Sequence, residues 1–297
     1  MSKISVLMSV YNEEENILRQ AIDSILNQQF IDFEFVIIID NPSRTDLVEV
    51  IRNYTCKDSR VFFHINDQNM GLVKSLNRGI DYCKADVVAR MDADDISLPN
   101  RLEEQYELLT NENLDIVGAD TNIMDGDLET TEIVEYPHTI TACRKRLKLF
   151  PCCAHPTWMV RKAVYTTLQG YRNIKYCEDF DFLIRASLAG YKISNVPKVL
   201  LKYRIRDTGI SKANYFPQKA CSTFLSAGYR KRKPVSEEEY IHYTESEQFK
   251  KDCRNMEDGY RTVQMLKTMG QGEGKNLIKL LRNPYYLRFL LLSRTAS

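Results

Sequence analysis

Along the first 125 residues, apolar and polar positions alternate between two periods, and the change of period marks out the elements. ISVLMSVY (4–11) and FEFVIIID (33–40) are apolar at nearly every position and too short to span a membrane, which predicts strands, the second buried on both faces. Between them, ENILRQAIDSILNQQ (15–29) sets Ile17, Leu18, Ala21, Ile22, Ile25 and Leu26 on one face at helical spacing. The pattern continues with helix TDLVEVIRNY, strand RVFFHIN, helix LVKSLNRGIDYC, strand ADVVARMD, helix PNRLEEQYELLTNE and strand DIVGADTNIM. Such alternation indicates βαβ units joined by right-handed crossovers, so the fold class is α/β: a doubly wound, mostly parallel sheet flanked by helices.

In sheets of this kind ligands bind beyond the carboxyl ends of the strands. Those ends carry acids and amides here: YNEEEN after the first strand, Asp40 and Asn41 after the second, NDQNMG after the third and DADD after the fourth. The last is the sharpest signal, because Asp92, Asp94 and Asp95 crowd together where an apolar run has just ended. Carboxylates that close cannot be desolvated as ions unless a cation, a helix N-terminus or water takes up the charge. Capping of the helix beginning near Pro99 by Asp94, Asp95 or Ser97 accounts for one acid, not three. A divalent cation shared with nucleotide phosphates accounts for all of them, since Mg²⁺ and Mn²⁺ take oxygen ligands. The commoner nucleotide loops are missing: the first glycine is Gly71, so no GxGxxG follows the first strand, and no GxxxxGK[ST] occurs.

Composition narrows the field further. With 43% hydrophobic and 27% charged residues, 297 residues can bury a sizeable core. The opening residues lack the basic and apolar regions of a secretory leader, so a cytosolic chain is expected. Eight cysteines without a CxxC pair then read as free thiols, and Cys152, Cys153, His155 and Cys177 lack the spacing of a structural zinc site. A net charge of +1 speaks against nonspecific nucleic-acid binding, yet it runs from −8 over residues 1–110, through 0, to +9 over residues 201–297. That basic end suits an anionic partner.

Five segments together resemble the ordered blocks of bacterial family 2 glycosyltransferases, the inverting enzymes of the GT-A fold. They are SVLMSVYNEEENILRQAIDSILNQQF, NMGLVKSLNRGI, VARMDADDISLPNRLEEQ, AHPTWMVRKAV and YCEDFDFLIRASLAGYKISNVPKVLLKYRI, and they cover residues 3 to about 211. The resemblance implies transfer of a hexose or N-acetylhexosamine from a UDP-sugar to a glycan acceptor, lipid-linked in many relatives, in bacterial surface polysaccharide synthesis. It implies that Val10, Tyr11, Asn12 and Glu14 line the donor nucleotide and that Asp40 meets the uracil. It makes DADD the DxD motif, with Asp92 at the ribose or metal and Asp94 ligating Mn²⁺ or Mg²⁺. Gly71 and Arg78 fall where relatives approach the donor, although Lys74 and Arg78 at i and i+4 equally describe a solvated basic face. Asp179 aligns with the acid that deprotonates the acceptor, Glu178 with one that orients it, and His155 with a segment near the acceptor. Three acids in one first helical turn, Glu178, Asp179 and Asp181, also complement a helix dipole without any catalysis. Where relatives often carry histidine after tyrosine, arginine and one further residue, this chain has Arg206, whose fork can hold diphosphate oxygens but cannot ligate a metal.

The expected organisation is a catalytic domain over 1–211, its nucleotide half about 1–125 and its acceptor half 126–211, followed by a basic helical extension over 212–297. The closing GKNLIKLLRNPYYLRFLLLSRTAS mixes apolar and basic side chains and is interrupted by Pro284, so it suits the surface of an anionic membrane or an ordinary packed helix pair. Peripheral attachment at the cytoplasmic face of the inner membrane follows from the first of these. Two other functions fit parts of the pattern. A sugar-phosphate nucleotidyltransferase would need a glycine-rich basic loop after the first strand, where YNEEEN is acidic, and a non-catalytic glycan-binding module would release no UDP.

Overall fold

Four parallel strands form the half of the sheet that the patterning predicts. They are β1 (Ile4–Val10), β2 (Phe33–Ile39), β3 (Val61–Ile65) and β4 (Val87–Asp92), hydrogen-bonded in the order β3-β2-β1-β4. Helices α1 (Glu15–Leu26), α2 (Thr45–Lys57) and α3 (Leu72–Tyr82) are the crossovers. All four carboxyl ends therefore open on one rim. The structure is a computed structural model and describes residues 2–205 and 214–268, without the side chains of residue 129 and residues 262–268. Arg206, the proposed domain boundary near 211 and the basic apolar segment beyond 274 lie outside the described residues.

The second half departs from simple alternation. The chain runs through β5 (Ile96–Ser97), α4 (Arg101–Asn111), β6 (Ile116–Asp125), β7 (Leu128–Val134), α5 (Ile140–Arg146), a 3-10 turn (His155–Thr157), β8 (Met159–Arg161), α6 (Lys162–Leu168), α7 (Glu178–Leu188) and β9 (Ile193–Ile205). The sheet continues from β4 as β8-β6-β9-β5, with β7 added to β6. Between β4 and β6 lies the three-residue β8, antiparallel to both. This short insertion sets Trp158 opposite Arg90, whose backbone N–H donates to the Trp158 carbonyl at 2.7 Å. Strand β9 runs parallel to β6 along its whole length and then antiparallel to β5, which carries its last residues to the DADD turn.

Side chains alternate between two cores, one on each face of the sheet, as the period of 2 requires. Met8, Val10, Phe35, Ile37 and Met91 pack under Leu18, Ile22, Leu47, Ile51 and Leu102 of α1, α2 and α4. Leu7, Ile38, Val88, Trp158 and Val160 pack under Leu76 and Ile80 of α3, Val164 of α6 and Phe180 and Phe182 of α7. The C-terminal helices join this second core. Cys221, Leu225 and Tyr229 of α8 (Tyr215–Arg230) and Tyr240 of α9 (Glu237–Glu245) are buried in it, and α10 (Glu247–Thr268) follows. The eight cysteines are all free thiols, six of them buried. Among the described residues no helix is long and apolar enough to cross a membrane.

Gly118 of β6 has no room for a side chain: a Cβ would lie 2.5 Å from Cys153 Cβ and 2.2 Å from Asn195 Oδ1. Overpacking of a buried site costs about 1–3 kcal/mol. Gly118→Ala should therefore lower the midpoint of chemical denaturation by a corresponding amount. An unchanged midpoint would mean that the β6–β9 pair can shift to admit a methyl group.

Candidate active site

The loops of the nucleotide half are tied to one another before any ligand is considered. After β1, Val10 is buried and Tyr11 is 47% exposed on the rim. The next turn is clamped by Arg44, which donates to Asn12 Oδ1 at 2.5 Å, to the Glu13 carbonyl at 3.0 Å and to Asp46. Glu14 is the N-cap residue of α1 and makes no side-chain capping bond. Asp40 is buried at the end of β2, where Oδ1 accepts from Asn66 Nδ2 at 2.7 Å and Met70 N at 2.8 Å, and Oδ2 accepts from Gly71 N at 2.9 Å. Gly71 has φ +82°, the left-handed region that favours glycine, and Asn69 Oδ1 accepts from its N–H. Arg78 donates to Asn66 Oδ1 at 2.8 Å. Asp40, Asn66 and Arg78 thus form one chain of hydrogen bonds across the end of β3, and Asn66 was not among the residues the sequence singled out.

The crowding of the three aspartates is resolved by arginine. One oxygen from each of Asp92, Asp94 and Asp95 lies within 4.8 Å of the others. Arg90 grips Asp92 with both terminal nitrogens, one of them at 2.6 Å. Arg204 donates to the Asp94 carbonyl through Nε at 2.7 Å, and its backbone N–H donates to Asp95 Oδ1 at 2.8 Å. Arg101 is fully buried behind the cluster and, among the described residues, donates to neutral acceptors: the Arg90 carbonyl at 2.6 Å, Gln105 Oε1, Met91 Sδ and Ser97 Oγ. Burial and the nearby Arg90 lower its pKa to about 9. Helix capping does not account for the acids. The N-cap of α4 is Asn100, and in the first turn Leu102 N donates at 3.0 Å to Oε1 of Gln28, just past the end of α1.

The donor set fits a hard divalent cation. Asp95 is 1% exposed and its Oδ2 has no hydrogen-bond partner among the described residues. Burial, then Asp92 and Asp94, push its pKa well above the ordinary carboxylate range. A buried carboxylate oxygen left without a donor, beside two further carboxylates, is what oxygen-loving ions require. Asp95 thus joins Asp92 and Asp94 as a candidate ligand.

Facing this cluster is the start of α7. Glu178 and Asp179 are half-buried, and the charges of both Arg90 and Asp92 reach each of them. Burial raises the pKa of Asp179 against the opposing effect of its bond from Phe180 N at 2.6 Å and of Arg90. Burial and the neighbouring Asp179 raise Glu178 to about 7. Asp181 is a different matter: it pairs with Arg172 and Arg185 and is a structural acid. His155 bonds Tyr171 Oη through Nε2 at 2.9 Å and meets Trp158 edge-on at 4.5 Å. Burial and Arg90 hold its pKa well below the ordinary value, so the imidazole is neutral. Arg90 itself is 3% exposed, and its Nε, like the Trp158 indole nitrogen, has no partner among the described residues. Neither was named from the sequence, although Arg90 and Asp92 at i and i+2 necessarily share a face of β4.

A curled, mostly parallel sheet with an acid cluster at its carboxyl rim and a carboxylate-bearing helix opposite is the GT-A arrangement. Residues 5–168 match the family model described as Glycosyl transferase family 2, so the chain belongs to that family. The O-antigen biosynthesis glycosyltransferase WbnJ of Escherichia coli is 32% identical over 234 residues, 78% of this chain and 91% of that one. The E. coli UDP-Gal:alpha-D-GlcNAc-diphosphoundecaprenol beta-1,3-galactosyltransferase is 28% identical over 211 residues, 68% of this chain and 74% of that one. Among solved structures, the mannosyltransferase PcManGT of Pyrobaculum calidifontis, in complex with GDP-Man and Mn²⁺, superposes with a TM-score of 0.62 at 12% identity. The match covers 99% of this chain and 84% of that one. At that identity the likeness shows the fold.

Glu178 makes the site's electrostatics measurable. A carboxyl whose pKa in the folded state lies above its unfolded value favours the fold below the unfolded value, and that contribution is lost as pH rises through the folded one. For Glu178 the window runs from the ordinary 4.5 to about 7. Metal-free Glu178→Gln should therefore gain in melting temperature relative to the wild type as pH rises from about 5 to about 8. A difference that stays constant across this range would contradict the assignment.

Proposed function

We propose that the protein is a metal-dependent inverting glycosyltransferase, moving a hexose or N-acetylhexosamine from a UDP-sugar to a lipid-linked glycan acceptor in surface polysaccharide synthesis. The observation that carries this reading is the pairing of Asp92, Asp94 and Asp95 at the strand rim with Asp179 across Arg90. Inversion needs a base on one face of the anomeric carbon and stabilisation of the leaving diphosphate on the other. Asp179 takes the proton of the acceptor hydroxyl as that oxygen bonds to the anomeric carbon. The bond from that carbon to the diphosphate breaks at the same time, and UDP departs. An elevated pKa suits a carboxylate to this task, because a stronger base receives the proton more readily. Glu178 orients the acceptor, and neutral His155 offers it a hydrogen-bonding edge.

On the donor side, Val10, Tyr11, Asn12 and Glu14 form the nucleotide wall, Asp40 meets the uracil, and Gly71 with Arg78 of α3 lies beside the diphosphate. Asp94, with Asp92 and Asp95, would hold Mn²⁺ or Mg²⁺, which supplies countercharge to the diphosphate when bound. Arg206 would add a direct contact to the diphosphate. The name of the E. coli galactosyltransferase supports UDP as the carrier and an acceptor on a lipid diphosphate, and that of WbnJ supports a surface polysaccharide. An acceptor in lipid would place the reaction at the cytoplasmic membrane face, where the surplus positive charge of residues 201–297 is suited to anionic lipid.

Two substitutions separate the halves of the mechanism. Asp94→Ala should abolish transfer and Mn²⁺-dependent UDP binding with the fold intact, and calorimetric titration showing UDP affinity still raised by Mn²⁺ would refute the metal role. Asp179→Asn should bind donor normally while losing about 10²–10⁴ in turnover. Near-normal turnover by that variant would remove Asp179 from the role of base.

A further inference from the structure

Arg204 occupies a position that the proposed chemistry does not explain. It is 4% exposed, sits one residue from the end of β9, and directs four guanidinium hydrogen bonds to other parts of the fold. Nε holds the Asp94 carbonyl at 2.7 Å, Nη1 holds the Gly126 carbonyl and Asp127 Oδ1 at 2.5 Å each, and Nη2 holds Gln20 Oε1 of α1 at 2.7 Å. Its backbone N–H adds the bond to Asp95 Oδ1. The pairing with Asp127 is a weak reason for this investment, because that acid is 63% exposed and solvated ion pairs contribute little. What the fork achieves is geometric. It joins α1, the β6–β7 turn and β9 to two successive residues of the acid turn.

We infer that Arg204 is the positioning residue of the metal site, fixing Asp94 by its carbonyl and Asp95 by its carboxylate so that their remaining oxygens converge on one cation. The inference rests on the metal-dependent reading above. In this role Arg204 acts through the two aspartates. A lysine would keep the charge but lose the planar fork that reaches three carbonyl-type acceptors at once. Outer-shell partners of metal ligands typically govern about 10–100-fold in metal affinity.

The test is Mn²⁺ binding followed by electron paramagnetic resonance at saturating UDP, on wild type, Arg204→Lys and Gln20→Ala. Arg204→Lys should bind Mn²⁺ about 10–100-fold more weakly, with the Mn²⁺ concentration for half-maximal turnover raised in step and turnover recovering at high Mn²⁺. Gln20→Ala, which releases only Nη2, should move the same way by less, and carries the test if the lysine variant does not fold. A folded Arg204→Lys or Gln20→Ala that binds Mn²⁺ as wild type does overturns the inference alone. So does a loss of melting temperature with the Mn²⁺ affinity of the folded protein unchanged, since that is the mark of a structural role. Wild type that binds no Mn²⁺ with UDP present overturns both this inference and the reading beneath it.

Discussion

Everything at the rim of this sheet depends on one constraint: three carboxylates have been gathered at the end of a buried strand, and charge so placed must be balanced before the chain can fold around it. Arg90, Arg101 and Arg204 supply the balance from below, each nearly or fully buried. They come from the strand itself, from the helix after it and from a strand more than 100 residues away. The acid turn is therefore tied by hydrogen bonds to elements far from it in sequence. A buried guanidinium is costly unless paired, which explains why the surrounding backbone is so specifically arranged. The Arg90 carbonyl accepts from Arg101, and the carbonyls of Asp94 and Gly126 accept from Arg204.

Arg90 also carries the influence of this cluster across the site. Its charge opposes the desolvation that raises Glu178 and Asp179, and it adds to the burial that keeps His155 neutral. One residue thus acts on the protonation of all three groups. The three-residue strand β8 makes this possible, because it brings the 3-10 turn with His155, and Trp158 after it, alongside β4.

The parallel half of the sheet could be read from periodicity, since every strand there is an apolar run and every helix an apolar stripe. The acids of the rim and the positive φ of Gly71 were legible for the same reason: each follows from local chemistry. β8 was not, because three residues carry no period. The arginines were hidden because a single basic residue in VVARMD reads as an interruption, and the partners of Arg101 and Arg204 are fixed only by tertiary packing. Residue type and spacing left the three acids of α7 alike, and only the family resemblance singled out Asp179 and Glu178. Packing separates them, by giving Asp181 to Arg172 and Arg185 and leaving Glu178 and Asp179 turned toward the acid cluster. Asp40, the rim carboxylate expected to meet the base, also accepts from Asn66, Met70 and Gly71, and these bonds are fixed only by the fold.

The central claim, that an arginine-balanced acid cluster and Asp179 act on opposite faces of one sugar carbon, has a direct readout in stereochemistry. Proton NMR of the anomeric signal, recorded as the enzyme turns over an α-linked UDP-sugar with a glycan acceptor and Mn²⁺, should show a β-linked product. Chelation of the metal should stop its formation. An α-linked product, or turnover that persists undiminished without metal, would contradict the account.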